Sequence, residues 1–225
     1  MNINRPRVIA HRGASGHQPE NSLAAFREAV RLGSDGVELD IHATSDGELV
    51  VHHDSEVPGI GRISELPIHT LKSCILATGE PIPTLQEALQ ALNGLEAWVE
   101  VKELPEAADA RLLAIIDASP DPSRCAVHSF DHRTVARLGA RRPSLRRGVL
   151  SASYPLDPAA PMVAAGAVAL WQEWQLIDAE LIEAIHRRGG EVIAWTVNDT
   201  AVARRLAALG VDALCGNYPE RLRIP

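Results

Sequence analysis

The sequence predicts an α/β fold in which eight parallel strands close into a barrel wrapped by helices, a (β/α)8 barrel. Three observations predict it. Short β-rich runs alternate with helical segments along the chain. Most of those runs are continuously apolar, as parallel strands covered on both faces are. The length, 225 residues, is one at which such an alternation closes most simply into a single barrel spanning 1–225.

Strands are expected at Arg7–His11, Gly36–His42, Glu48–His53, Ala97–Lys102, Arg124–Ser129, Arg146–Leu150, Ala167–Trp171, Glu191–Val197 and Asp212–Gly216. Helical patterns lie between them at Ser22–Arg31, Thr84–Leu92, Glu106–Asp117, Asp131–Ala140, Asp178–Arg188 and Asp199–Leu209. Asn21 or Ser22 reads as the N-cap of the first helix, and Thr84 with Glu87 three residues on is a capping box. Gly189-Gly190 and Gly210 stop the helices before them.

Nine strand candidates compete for eight barrel positions, and Asp46-Gly47 accounts for the extra one. An Asp-Gly flanked by extended runs is a strong hairpin signal. A two-residue loop there pairs Ser45 with Glu48 and places Asp40 opposite His53, with Glu38 on the same face. Residues 54–83 hold a short helical stretch near Ile68–Cys74 and otherwise read as an elaborated loop above the barrel.

Composition narrows the function. The net charge of -7 argues against a polyanion binder, which needs clustered Lys and Arg. The basic run Arg137–Arg147 reads as a solvated helix end. Cys74, Cys125 and Cys215 stand apart in no ligand spacing, as buried thiols of a reducing compartment do. With no export signal and no run of about 18 apolar residues, the expectation is a cytoplasmic protein without a membrane span.

Four clusters fall at the C-terminal ends of strands, where a barrel keeps its active site: His11-Arg12-Gly13, Glu38-Leu39-Asp40, His52-His53-Asp54 and Glu100-Val101-Lys102. Three carboxylates, Glu38, Asp40 and Glu100, would be costly there unless paired. Such hard oxygen donors suit one divalent ion, Mg²⁺ or Ca²⁺; the blander reading is an ion network with Arg12 and Lys102. His11 and His53 flank the carboxylates, and an imidazole near its ordinary pKa of about 6.5 can give or take a proton. Arg12 and Lys102 supply positive charge for phosphoryl oxygens. By alternation His52 points away from His53. His42 has a place on the rim as its second reading, and His128 a place in the barrel mouth.

These residues, with Pro19-Glu20-Asn21-Ser22, Pro83-Thr84-Leu85, Ser129-Phe130-Asp131, Trp195-Thr196-Val197-Asn198 and Asn217-Tyr218-Pro219, resemble the glycerophosphodiester phosphodiesterase family from residue 8 to about 220. The resemblance implies a TIM barrel that hydrolyses small glycerophosphodiesters to an alcohol and glycerol 3-phosphate. It implies His11 and His53 as the acid–base pair, and Glu38, Asp40 and Glu100 around the divalent ion. Arg12 and Lys102 would meet the phosphate, with Trp195 lining the pocket. The alternatives are a lysophospholipase D-type activity on the same fold, and a silent barrel that only binds phosphorylated ligands.

Overall fold

The computed structural model describes residues 5–224. In chain order its elements are β1 (Arg7–His11), α1 (Leu23–Arg31), β2 (Gly36–Ala43), β3 (Leu49–Val51), β4 (Glu56–Val57), β5 (Gly61–Arg62), α2 (Ile68–Lys72), α3 (Leu85–Ala91), β6 (Glu96–Glu103), α4 (Asp109–Asp117), β7 (Cys125–Ser129), α5 (His132–Arg141), β8 (Arg146–Ser151), α6 (Ala160–Ala164), β9 (Ala169–Glu173), α7 (Ala179–His186), β10 (Glu191–Trp195), α8 (Thr200–Leu209) and β11 (Ala213–Gly216). Parallel pairing runs β1-β11-β10-β9-β8-β7-β6-β2, and β1 pairs with β2 to close the barrel. The extra strand, β3, lies antiparallel on β2. No helix among the described residues is long and apolar enough to cross a membrane.

The continuous apolar runs serve two faces at once. Val37, Leu39, Ile41, Val99 and Val101 face outward and pack with Phe26, Leu85, Leu89 and Leu112 of the surrounding helices. Residues two apart face inward and stack in layers drawn from alternate strands. At the N-terminal end Arg7, Glu96, Arg146 and Glu191 form a closed ring of ion pairs, including Arg7–Glu96 at 2.6 Å and Arg146–Glu191 at 2.7 Å. Ala126, Ala169 and Ala213 come next, and their small side chains leave room for Ile9, Trp98 and Ile193 above. Trp98 and Trp171 then pack edge to face at 5.1 Å. Above them the inward residues turn polar.

The helix boundaries follow from the caps. Ser22 accepts from the Ala25 amide, and the Thr84–Glu87 capping box is present. Asp131, Asp178 and Asp199 cap α5, α7 and α8, and Gly210, at φ +96°, ends α8. The basic run is less solvated than its composition suggests. Arg137 and Arg141 both pair with the fully buried Asp109, and Arg147 donates to the carbonyls of Pro143, Leu145 and Gly166.

Three expectations are corrected. The hairpin register is shifted by one residue: Ala43 pairs with Leu49, His42 with Val50 and Ile41 with Val51. The loop holds three residues because Thr44 closes it from both sides. Its amide donates to the Glu48 carbonyl at 2.9 Å, and its carbonyl accepts from Gly47, which sits at φ +82°. Asp40 therefore lies opposite His52, whose amide donates to the Asp40 carbonyl at 3.1 Å. Second, a short helix, α6, stands between β8 and β9 where none was expected. Third, residues 54–83 are more ordered than a loop. Besides the expected short helix, α2, they form the β4–β5 ribbon, and they bury Val57, Ile63, Leu71 and Ile82 against Val50.

Candidate active site

Strand register assembles the site. His11 pairs with Glu38 across β1 and β2, and Asp40 pairs with Glu100 across β2 and β6. Glu100 pairs in turn with His128 on β7. Neighbours in register share a face, so an inward position on one strand brings in the next. The result is a cavity of about 140 Å³ at the C-terminal mouth. His11, Arg12, Glu38, His53, Glu100 and Lys102 line one side; His128, Phe130, Trp171 and Trp195 line the other. Of the eight residues singled out from sequence, seven line this cavity, and Asp40 lies just behind it.

The two histidines are held through different partners. His11 Nδ1 donates to Asn217 Oδ1 at 2.8 Å, which leaves Nε2 as an acceptor, 3.9 Å from Glu38 Oε2. Asn217 is itself fixed by its amide, which donates to Asn198 Oδ1. Burial, with the Arg12 charge alongside, pushes the His11 imidazole down to about 4. His53 Nδ1 donates to Asp54 Oδ1 at 2.8 Å, and that bond draws the Asp54 carboxyl below its ordinary value.

His53 reaches the cavity although the register differs from expectation. Regular pairing ends at Val51, and the chain then bends away from β2. His42, buried on the inward face of β2, donates from Nε2 to the His53 carbonyl at 3.0 Å and pins that bend. His52 instead donates from Nδ1 to the Asp54 carbonyl and does not line the cavity.

The acidic triad divides. Asp40 is fully buried; its Oδ1 lies 3.0 Å from Lys102 Nζ, and its Oδ2 lies 3.1 Å from Arg12 Nε and accepts from Asn21 Nδ2 at 2.8 Å. Burial would raise its carboxyl, but Lys102 and Arg12 together hold it below the ordinary value. Asn21 is thus no helix cap but a clamp on Asp40. Arg12 also donates its amide to Glu38 Oε2 at 3.0 Å and its guanidinium to Glu20.

Glu38 and Glu100 differ from Asp40. Burial, then the Asp40 and Glu100 charges, raise the Glu38 carboxyl well above its ordinary value. Burial carries Glu100 up to about 7, Lys102 pulling it back at 2.6 Å and Asp40 adding to the rise. Glu38 Oε1 has no hydrogen-bond partner among the described residues. A carboxylate oxygen of each, together with a ring nitrogen of His128, lie within 4.8 Å of one another, a spacing that could hold a metal ion. Glu38, Glu100 and His128 thus form one group that could hold a metal ion, while the expected third carboxylate, Asp40, lies behind it against Lys102 and Arg12. Sequence carried a partial signal for His128, through its period-two position on β7. Its neighbour Glu38 belongs to a strand two places away.

The fold and the position of this polar cluster define a (β/α)8 barrel whose working end is the C-terminal mouth. The chain belongs to the glycerophosphoryl diester phosphodiesterase family, whose profile matches residues 11–221. A glycerophosphodiester phosphodiesterase of Caldanaerobacter subterraneus is 31% identical, over 96% of this chain and 95% of that protein. Among solved structures, a phosphodiesterase of Oleispira antarctica in complex with its product sn-glycerol-3-phosphate superposes with a TM-score of 0.90 at 27% identity, covering 97% of this chain and 95% of that one. A glycerophosphodiester phosphodiesterase from Parabacteroides distasonis shares the fold with a TM-score of 0.87 at 24% identity, covering 97% and 95%.

Proposed function

We propose that this chain hydrolyses glycerophosphodiesters to an alcohol and glycerol 3-phosphate by metal-dependent catalysis, with His11 and His53 as the acid–base pair. The observation that carries the reading is the convergence of these two histidines, each with one ring nitrogen tied down, on one cavity with Glu38 and Glu100. Family membership and the product-bound relative support the substrate class. The substrate is a small diester met in the cytoplasm.

The residues present fit a divalent ion. The unpartnered Glu38 Oε1 is a ready donor, and a cation beside Glu38 and Glu100 would oppose the burial and mutual repulsion that push both carboxyls up. Glu38 and Glu100 would hold it, with Asp40, kept ionised by Lys102 and Arg12, as the third oxygen donor. When bound, such an ion supplies positive charge to phosphoryl oxygens and acidity to a hydroxyl.

The chain's own groups do the rest. Arg12 and Lys102 bind the phosphoryl oxygens and stabilise the charge that develops there. His11, its imidazole pushed down to about 4, is in the state a base needs, and its Nε2 takes the proton of the nucleophile, which is either water itself or the glycerol hydroxyl, whose cyclic phosphate a water then opens to glycerol 3-phosphate. His53 gives a proton from Nε2 to the departing alkoxide, its Nδ1 being held by Asp54. Trp195 and Phe130, packed edge to face at 5.6 Å, wall the mouth on the far side.

The test is release of glycerol 3-phosphate from glycerophosphocholine and glycerophosphoethanolamine, with and without EDTA. Metal-dependent release is expected, and His11→Ala or His53→Ala should each lower turnover by about 10²–10⁴ with the fold intact. Near-wild-type rates in either variant would end the acid–base assignment. No release with any divalent ion would overturn the reaction.

A further inference from the structure

His128 is a histidine without a visible occupation. It stands on the inward face of β7, 1% exposed, between the rings of Trp98 and Trp171 at centroid distances of 5.5 and 4.3 Å. Among the described residues neither of its ring nitrogens has a hydrogen-bond partner, and neither has Glu38 Oε1. The nearest approach between them, His128 Nε2 to Glu38 Oε1, is 3.8 Å, too long for a hydrogen bond. A buried polar atom left unpartnered is destabilising. Two residues carrying such atoms on one small cavity point to a shared guest.

The donors define that guest. A proton shared between His128 and Glu38 would draw them to about 2.8 Å. A cation satisfies the imidazole nitrogen and both glutamate oxygens together, since the three atoms lie within 4.8 Å of one another. Trp98 and Trp171 fix the ring plane by packing, in place of the hydrogen bond that orients many metal-bound histidines. The expectation of Mg²⁺ or Ca²⁺ rests on an all-oxygen donor set. An imidazole donor shifts the balance toward first-row transition ions and Zn²⁺.

We propose that His128 is a nitrogen ligand of the divalent ion, and that the site consequently prefers Mn²⁺, Co²⁺ or Zn²⁺ to Mg²⁺ and Ca²⁺. The inference rests on the reading of Glu38 and Glu100 as carboxylate ligands of that ion. It ties metal choice to a residue of the deepest polar layer, below the acid–base pair.

The experiment is metal binding by the full chain after EDTA dialysis, independent of turnover. Calorimetric titration compares Mn²⁺ with Mg²⁺, and pulsed EPR of the Mn²⁺-loaded protein reads ¹⁴N coupling from a bound imidazole. The wild type should bind Mn²⁺ at least about tenfold more tightly than Mg²⁺ and show the coupling. His128→Gln should lose the coupling and lower Mn²⁺ affinity about tenfold, with Mg²⁺ affinity moved much less. Mn²⁺ bound without ¹⁴N coupling in the wild type overturns this inference and leaves the carboxylate reading standing, whatever the variant does. Coupling that survives in a folded His128→Gln assigns the nitrogen elsewhere and overturns it too. Failure of every ion to bind would overturn both.

Discussion

Gly148 offers a sharp test of how tightly the barrel is filled. It lies on the inward face of β8 in the layer of Ile9, Trp98 and Ile193. A Cβ built on it comes to 2.9 Å from Trp98 Cζ3, 2.9 Å from Trp171 Cδ1 and 3.2 Å from Trp171 Nε1. Comfortable carbon contacts begin near about 3.5 Å, so in Gly148→Ala each indole must recede by roughly 0.6 Å. Trp98 has little space to do so, being fully buried and packed on Trp171 at 5.1 Å, and Trp171, which presses on His128, can yield only toward the cavity that it lines. Overpacking of this kind costs about 1–3 kcal/mol. The narrower unfolded ensemble of alanine returns about 0.4–1 kcal/mol. At the middle of both ranges the net expectation is a loss of about 1.3 kcal/mol, and about 2.6 kcal/mol at most. With a urea m-value of about 2.5 kcal/mol/M, the unfolding midpoint falls by about 0.5 M. Tryptophan fluorescence and far-UV circular dichroism, followed together through the transition, read it. A midpoint equal to or above that of the wild type would mean that the indoles have slack, and the layered packing described here would be wrong.

Two further outcomes follow from other contacts. His42→Ala removes the donor that pins the His53 carbonyl and should lower kcat about tenfold with little change in KM, as misplacement of a catalytic group does. His42→Gln should recover part of that loss, and an Ala variant with unchanged kcat would show that the bend after Val51 holds without it. Glu96→Gln tests the ring at the barrel floor. The Glu96 carboxyl is buried, which alone would raise it, but Arg7 and Arg146 bring it below its ordinary value. A depressed pKa contributes stability above the unfolded value of 4.5 that is lost as pH falls through the folded one. The variant should therefore be less stable at pH 7 by about 2–3 kcal/mol, and the gap to the wild type should narrow steadily below about pH 4.5 in paired urea titrations. A gap independent of pH would remove the ionised glutamate from the account.

Much of this was readable in the chain because the informative features are local. Runs such as Arg7–His11 and Glu191–Trp195 need only their own composition to declare a covered strand. Capped helices such as α3 and α8 need only their first and last turns. The helix α6 was not legible, because five residues with a proline near the start give no periodicity to read. The hairpin register failed for a chemical reason. The side chain of Thr44 accepts from the Glu48 amide at 2.9 Å and so favours a three-residue loop. Inward alternation on β2 correctly brought Glu38 and Asp40 toward one end, but the partners that separate their roles come from elsewhere in the fold. Asn21 and Lys102 claim Asp40, while His128 approaches Glu38. Such assignments depend on closure of the barrel, which no local window contains.

The charged ring at the floor has a consequence for how this barrel can change. Its two arginines and two glutamates neutralise one another, so that end makes no demand on anything outside the chain. At the mouth, three carboxylates face Arg12 and Lys102, and an oxygen of Glu38 is left over for a visitor. The same strands carry both arrangements: Arg7 and His11 share β1, and Glu96 and Glu100 share β6. Four residues of strand put them about 13 Å apart. Adaptation to heat or acidity can thus proceed by exchanging residues at the floor, while the proton chemistry at the mouth keeps its tuning. A lineage that meets a new climate and one that meets a new diester would rewrite opposite ends of the same tube.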